Sequence, residues 1–267
     1  MILITGPRGR VGRELINELL AEGVPVRGLS RDPGRAELPA DVEVVAGDLE
    51  APETLTKALR DVDAVFLFST GHAGEGFARA LRDAGVRRLV LISGIEQDSD
   101  AIERGLDEAA LAWTHLWPTA FASNAARHWG RTISTEHIVR SPYGDAAIAP
   151  VDELDVASVA AAALTGDGHA GQRYVLTGPE SLTFREQVAI IAKAIGQDIT
   201  FDEETPEQAR TRMLRQWIPE AVVDGLLAAW ADATTHPALV TDTVARVTGR
   251  PAHTFAEWAA RHSSDFE

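Results

Sequence analysis

Ile2-Leu3-Ile4-Thr5-Gly6-Pro7-Arg8-Gly9-Arg10-Val11-Gly12 is the stretch that decides the fold. Its first residues form a short apolar run that stops at Gly6. From Val11 onward apolar residues recur at 11, 15, 16, 19 and 20, the spacing of a helix with one buried face, and Gly23 ends it. A strand that turns through glycines into a helix lets the backbone approach an anion, whose charge then sits at the helix N-terminus. The spacing is Gly-x-x-Gly-x-x-Gly. In this strand–turn–helix setting it predicts a pyrophosphate-binding turn built from Gly6, Arg8, Gly9, Arg10, Val11 and Gly12 rather than an ordinary βα turn.

Outward from the turn, short β-branched runs alternate with amphipathic segments. Val24–Leu29, Val42–Val45, Ala64–Phe68, Arg88–Ile92 and Trp113–Trp117 read as strands, the last stopped by Pro118. Pro52–Arg60, Gly74–Ala84 and Ile102–Leu111 read as helices between them. The pattern predicts an α/β fold with a doubly wound, parallel, Rossmann-type sheet and right-handed crossovers. After about residue 120 the alternation fades. Helices are expected at Asp155–Leu164, Thr183–Ile195, 205–232 and Thr254–His262, with short strands at Arg173–Thr177 and Ile199–Phe201. The expected division is a nucleotide-binding domain over 1–150, with 151–180 returning to it. A smaller, mostly helical C-terminal lobe over 181–267 lies on the substrate side.

Composition narrows the function. The 267 residues include no cysteine, which excludes a disulfide framework, thiolate-bound metal and a thiol nucleophile, and fits a reducing cytoplasm. With 25 basic and 40 acidic residues the net charge is −15, a surface that repels phosphate backbones and anionic lipid. Nucleic acid and membrane are therefore not expected partners. The N-terminus carries no basic leader, and no apolar run approaches the ~20 residues of a membrane span. No metal-binding spacing occurs: His128 and His137 are isolated, and His-Glu-x-x-His is absent. The Gly-x-Ser-x-Gly nucleophile elbow is also absent.

The end of the second strand bears on the choice of nucleotide. An acid there holds the ribose 2′-hydroxyl of NAD. Here the position is Ser30, followed by Arg31, whose guanidinium can grip a 2′-phosphate, with Arg8 and Arg35 adding charge. NADP(H) is therefore expected over NAD(H). Asp48 and Leu49 follow the third strand; the Asp48 carboxylate either accepts from the adenine amino group or caps the segment opening at Pro52. Phe68, Ser69 and Thr70 follow the fourth strand, at the sheet edge where open α/β sheets bind ligands.

Together these residues resemble the NmrA-like, atypical short-chain dehydrogenase/reductase family over nearly the full chain. Thr5-Gly-Pro-Arg-Gly-Arg-Val-Gly12 resembles its Thr-Gly-x-x-Gly-x-x-Gly motif. Ser30-Arg31-Asp32-Pro33, Gly47-Asp48-Leu49, Trp113-Thr-His-Leu-Trp-Pro118 and Phe121-Ala-Ser-Asn124 resemble further family segments. So do Ala149–Ala157, Tyr174–Glu180 and Val247–Pro251. The resemblance implies a Rossmann domain, a smaller C-terminal lobe and NADP(H) across the sheet edge, with Pro118 at the cofactor. Family members include NADPH-dependent reductases of quinones, ketones, imines and dyes; others are non-catalytic redox-sensing regulators.

The common short-chain dehydrogenase motif, Tyr-x-x-x-Lys, cannot form. The only tyrosines are Tyr143 and Tyr174, the only lysines Lys57 and Lys193, and Trp117 stands where the family usually has arginine. The candidate proton donors are Ser93, after the fifth strand, and His72, after the fourth. His115 alternates with Thr114 and Leu116 and is expected in the core; His128 is expected on a helix surface. Trp117, Phe121, Asn124 and Trp217 are the expected substrate-pocket residues, with Trp129 and Trp230 as further aromatic wall. The reading is an NADPH-dependent reductase that transfers hydride to a carbonyl, quinone or imine of a hydrophobic, aromatic small molecule. The alternatives are a non-catalytic NADP(H) sensor and a cyclase or isomerase on the same scaffold. Monomer and dimer both remain open.

Overall fold

Three buried residues, Ile2–Ile4, form β1 and pair in parallel on both sides, with Val26–Gly28 and with Ala64–Phe66. Flanked in this way, the strand is buried on both faces, which accounts for its unbroken apolar run. The computed structural model describes residues 1–68, 75–93, 111–216 and 218–267. Along the first 119 residues follow α1 (Arg10–Ala21), β2 (Val26–Ser30), β3 (Glu43–Ala46), β4 (Ala64–Phe68), α2 (Glu75–Asp83), β5 (Arg88–Ile92) and β6 (Ala112–Pro118). The chain continues through α3 (Asn124–Glu136), β7 (Ile138–Ser141), β8 (Ala147–Ile148), α4 (Glu153–Thr165) and β9 (Gln172–Leu176). It ends with β10 (Leu182–Thr183), α5 (Phe184–Ile195), β11 (Thr200–Glu203), α6 (Pro206–Leu214), α7 (Glu220–Asp232), α8 (Thr243–Thr248) and α9 (Phe255–Arg261).

These elements form two compact units. The first holds residues 1–119, 153–176 and 243–250; the second holds 120–152, 177–242 and 251–267. The first unit takes up 153–176, within the stretch 151–180 expected to return to the nucleotide-binding domain, and also 243–250.

The first unit is a Rossmann-type α/β layer structure. Its seven-stranded parallel sheet has the order β3-β2-β1-β4-β5-β6-β9. The helix α1 buries Val11, Leu15, Ile16 and Leu19, each contributing about 1.5–3 kcal/mol of burial. Its other partner is α4, whose alanines allow close approach and whose Ser158 hydroxyl donates to Glu18 at 2.7 Å. Asp155, fully buried on α4, pairs with Arg250 just beyond α8.

Two expected elements differ. Pro52–Arg60 is not an α-helix: a 3₁₀ turn spans Pro52–Thr56, and the Thr54 hydroxyl is turned back onto the carbonyl of Ala51 at 2.7 Å. The strand at 112–118 includes Pro118, which as the last residue gives up no interior ladder bond; Thr119 N–H reaches Leu176 O at 3.0 Å instead. The expected helix Ile102–Leu111 lies outside the described residues.

The second unit contains α3 and β7, where the sequence reading found no alternation. Gly130 interrupts the helical signal in α3. A Cβ there would lie 2.8 Å from Asp265 O, so the glycine serves close packing. The helical stretch 205–232 is two helices, the second starting after Pro219. Trp129, Phe184, Phe255, Trp258 and Phe266 form this unit's aromatic core.

Candidate active site

The turn after β1 is held by its own backbone. Gly6 has φ 61°, and its carbonyl accepts Gly9 N–H at 3.0 Å. A Cβ on Gly12 would overlap the Gly6 carbonyl oxygen, so the third glycine is demanded by the packing of helix on turn. Gly9 caps α1 in an extended conformation with no side-chain bond, and the first turn of α1 carries no acidic residue. A helix N-terminus of this kind presents N–H groups and partial positive charge without an internal anion. The cradle therefore fits a phosphate. Thr5 fixes its floor: its N–H donates to Phe66 O and its hydroxyl accepts Phe68 N–H at 2.9 Å, tying β1 to β4.

A cleft of about 580 Å³ opens over this turn. It brings together Gly6, Arg8, Gly9, Ser30, Arg31, Asp48, Leu49 and Phe68, from the ends of four strands of one unit. Thr5, Pro7, Leu29, Asp32, Arg35, Gly47 and Glu50 complete its lining. Of the expected nucleotide residues, Arg10, Val11, Gly12 and Pro118 do not line it; Val11 and Gly12 are buried beneath the turn, and Pro118 is buried at the end of β6. Ser69, Thr70 and His72 lie outside the described residues.

Three cations line the cleft: Arg8, in the turn itself, and Arg31 and Arg35, just past β2, are all exposed. Asp32 is partly committed elsewhere: its N–H donates to Ser30 Oγ at 3.1 Å, and its carboxylate stands 3.8 Å from Arg35, a contact worth little at this exposure. Asp48 accepts Glu50 N–H at 3.1 Å and donates its own N–H to the Thr54 hydroxyl. It therefore shapes its loop and does not cap the turn at Pro52, whose N-cap is Ala51.

A second group of side chains lies at the end of β5. Leu91 pairs with His115 and Ile92 with Leu116, so Ser93, one residue past the strand, shares a sheet face with His115 and Trp117. Ser93 Oγ lies 2.7 Å from His115 Nε2. Ser93 is 4% exposed and His115 0%. The Trp117 ring meets the imidazole edge-on at 5.3 Å, and its own indole nitrogen is buried with no hydrogen-bond partner among the described residues. His115 is a core residue, as its alternation predicts. Its bond to Ser93 was missed, although the parity of two adjacent parallel strands would have exposed it.

The remaining predicted residues are dispersed. Phe121, bridged to Val151, and Asn124, the first residue of α3, are half-buried in the second unit. Trp217 lies outside the described residues. Trp129 is no pocket wall: it is buried edge-on against Phe184 at 5.7 Å in that unit's core, and Trp230 also packs on Phe184. His128 sits on α3 with one edge exposed and its ring against Trp230. Partial removal from water, then the charges of Arg127 and Arg212, lower its pKa to about 4. Tyr174 is engaged with His169 at 2.9 Å.

The glycine cradle and the parallel sheet find their counterparts in known proteins. Residues 6–167 match the family described as NAD(P)H-binding. The chain belongs to that family. It shares its fold with NmrA, at a TM-score of 0.74 and 16% identity. It is 40% identical to the (4-alkanoyl-5-oxo-2,5-dihydrofuran-3-yl)methyl phosphate reductase of Streptomyces griseus, over 100% of this chain and 99% of that protein. It is 34% identical to the NAD(P)H azoreductase of Xenophilus azovorans, over 100% and 99%. The Citrobacter sp. triphenylmethane reductase complexed with NADP(H) superposes with a TM-score of 0.80, covering 98% of this chain and 99% of that one at 22% identity. That likeness establishes the same fold.

Proposed function

We propose that this protein is an NADPH-dependent reductase of electron-poor, conjugated small molecules: a carbonyl, quinone or imine on a hydrophobic, aromatic frame. The observation that carries the reading is the cleft itself, lined by an uncapped glycine turn that carries Arg8 and by the end of β2, where Ser30 is followed by the exposed Arg31 and Arg35. In it the Gly6–Gly12 turn would hold the pyrophosphate, Asp48 and Leu49 the adenine, and Arg31, assisted by Arg8 and Arg35, the 2′-phosphate. No acid ends β2 to favour a free 2′-hydroxyl. When bound, the reduced nicotinamide supplies a hydride; solvent supplies the balancing proton. The Ser93 hydroxyl donates a hydrogen bond to the acceptor atom as charge develops there. Trp117 offers an aromatic surface beside it.

The relatives support an activated acceptor. The substrate named for the Streptomyces griseus enzyme has a ring double bond conjugated with carbonyl groups, and the Xenophilus azovorans enzyme is named for azo compounds. Both are conjugated π systems, and hydride transfer to such an acceptor rests chiefly on holding it against the nicotinamide, which suits a chain lacking Tyr-x-x-x-Lys. The test is to mix purified protein and NADPH with quinones, acyl-substituted unsaturated lactones, aromatic ketones, imines and azo dyes, following loss of reduced-cofactor absorbance. Turnover with at least one class is expected. Tight NADPH binding with no turnover of any class would favour the sensor instead.

A further inference from the structure

The interior of a parallel sheet is an expensive place for an imidazole. His115 lies on β6 between Trp113 and Trp117 on the same face and opposite Leu91. An aliphatic side chain would pack there without needing a partner, whereas a buried polar ring must be hydrogen-bonded. Its Nε2 meets Ser93 Oγ at 2.7 Å, with both residues almost wholly removed from water. A bond in such surroundings is strong and directional.

The direction of that bond determines what Ser93 can do. A hydroxyl has one hydrogen. If Ser93 donates it to His115, none is left for an acceptor at the sheet edge. If Nε2 carries the hydrogen and donates to Oγ, the hydroxyl hydrogen is turned away from the imidazole. Without a donor at that point the hydroxyl is free to rotate and to bond back to nearby backbone, such as the Leu116 carbonyl that already accepts Ser93 N–H at 3.4 Å.

We propose that His115 is the positioning residue for Ser93: as the Nε2–H tautomer it donates to Oγ and holds the Ser93 hydroxyl ready to donate to the acceptor atom of the substrate. This rests on the reductase reading above. His115 touches neither nucleotide nor substrate; it acts through Ser93 alone.

The test compares wild type with Ser93→Ala, His115→Leu, His115→Gln and the double variant Ser93→Ala/His115→Leu, using the best acceptor from the screen. Ser93→Ala is expected to lower kcat about 100-fold, the scale of one lost transition-state donor. His115→Leu should lower kcat roughly 10-fold or more with KM for NADPH within about twofold, because the nucleotide cleft is untouched. His115→Gln, which keeps an N–H near the Nε2 position, should recover most of the loss. The double variant should be no slower than Ser93→Ala, since the two side chains act as one unit. Wild-type kcat in His115→Leu, or losses that multiply in the double variant, would overturn the proposal. Loss of kcat in Ser93→Ala with none in either His115 variant would leave the reductase standing and remove His115 from it. Nitrogen NMR of the imidazole in cofactor-free protein gives a readout independent of turnover. The Nε2–H tautomer, with a shift on Ser93→Ala, is expected; an Nδ1–H tautomer would overturn the proposal even if His115→Leu failed to fold.

Discussion

The turn after β1 and the end of β5 stand on the same carboxyl edge of one parallel sheet, yet they are built by different means. The turn is local. Gly6, Gly9 and Gly12 constrain one another within seven residues through backbone atoms, and the N-terminus of α1 follows directly. The end of β5 is non-local. Its serine is hydrogen-bonded to a histidine 22 positions along the chain, on the neighbouring strand. A ligand held by backbone leaves a short motif in the sequence; a donor held by a side-chain pair leaves only two unremarkable letters until the register is known.

Substitutions should separate the two regions. The largest effect is expected from Gly12→Ala, because the new methyl group overlaps the Gly6 carbonyl. NADPH affinity should fall about 100-fold or more, equal to about 2.7 kcal/mol, in a fluorescence titration. Unchanged affinity would show that the turn does not need its close packing. Ser93→Ala should do the converse, lowering kcat while leaving NADPH affinity within about twofold. A large loss of affinity there would merge the two regions and break the contrast.

Arg31→Ala comes next. Loss of a charge-assisted contact to phosphate, about 1.5–3 kcal/mol, should weaken NADPH roughly 10- to 100-fold and NADH hardly at all. Equal weakening of both would show that Arg31 serves something other than the 2′-phosphate. In the second unit, Thr183 caps α5 in a reciprocal capping box with Glu186. Thr183→Ala should cost about 1 kcal/mol in denaturant unfolding, with no change in NADPH affinity. The smallest effect is a pH dependence. With its folded-state pKa lowered to about 4 from 6.5, His128 favours the folded state least when protonated. Its cost is absent above about pH 6.5, grows as pH falls, and is complete below about 4. His128→Asn should flatten the stability profile slightly in that window, the effect being reduced by water at the exposed edge of the ring.

Much of the first unit is legible because β1 and β4 are continuous apolar runs and α1 keeps one apolar face. The parallel sheet, the glycine turn and the arginines near Ser30 all follow from short stretches. Other features needed three dimensions. Residues 120–152 look irregular because Gly130 and a polar surface mask α3. Trp129 reads equally well as pocket wall or core, and only its contact with Phe184 decides for the core. Asp48 carries a family motif, yet its carboxylate is spent partly on its own turn.

We propose that the glycine turn and the Ser30–Arg31 strand end together hold NADPH. Isothermal titration of the purified protein with NADPH and, separately, NADH tests it most directly. One NADPH per chain, bound at least about tenfold more tightly than NADH, is the predicted result, a difference of about 1.4 kcal/mol. No detectable heat with either nucleotide at about millimolar concentration, or a preference for NADH, would contradict it.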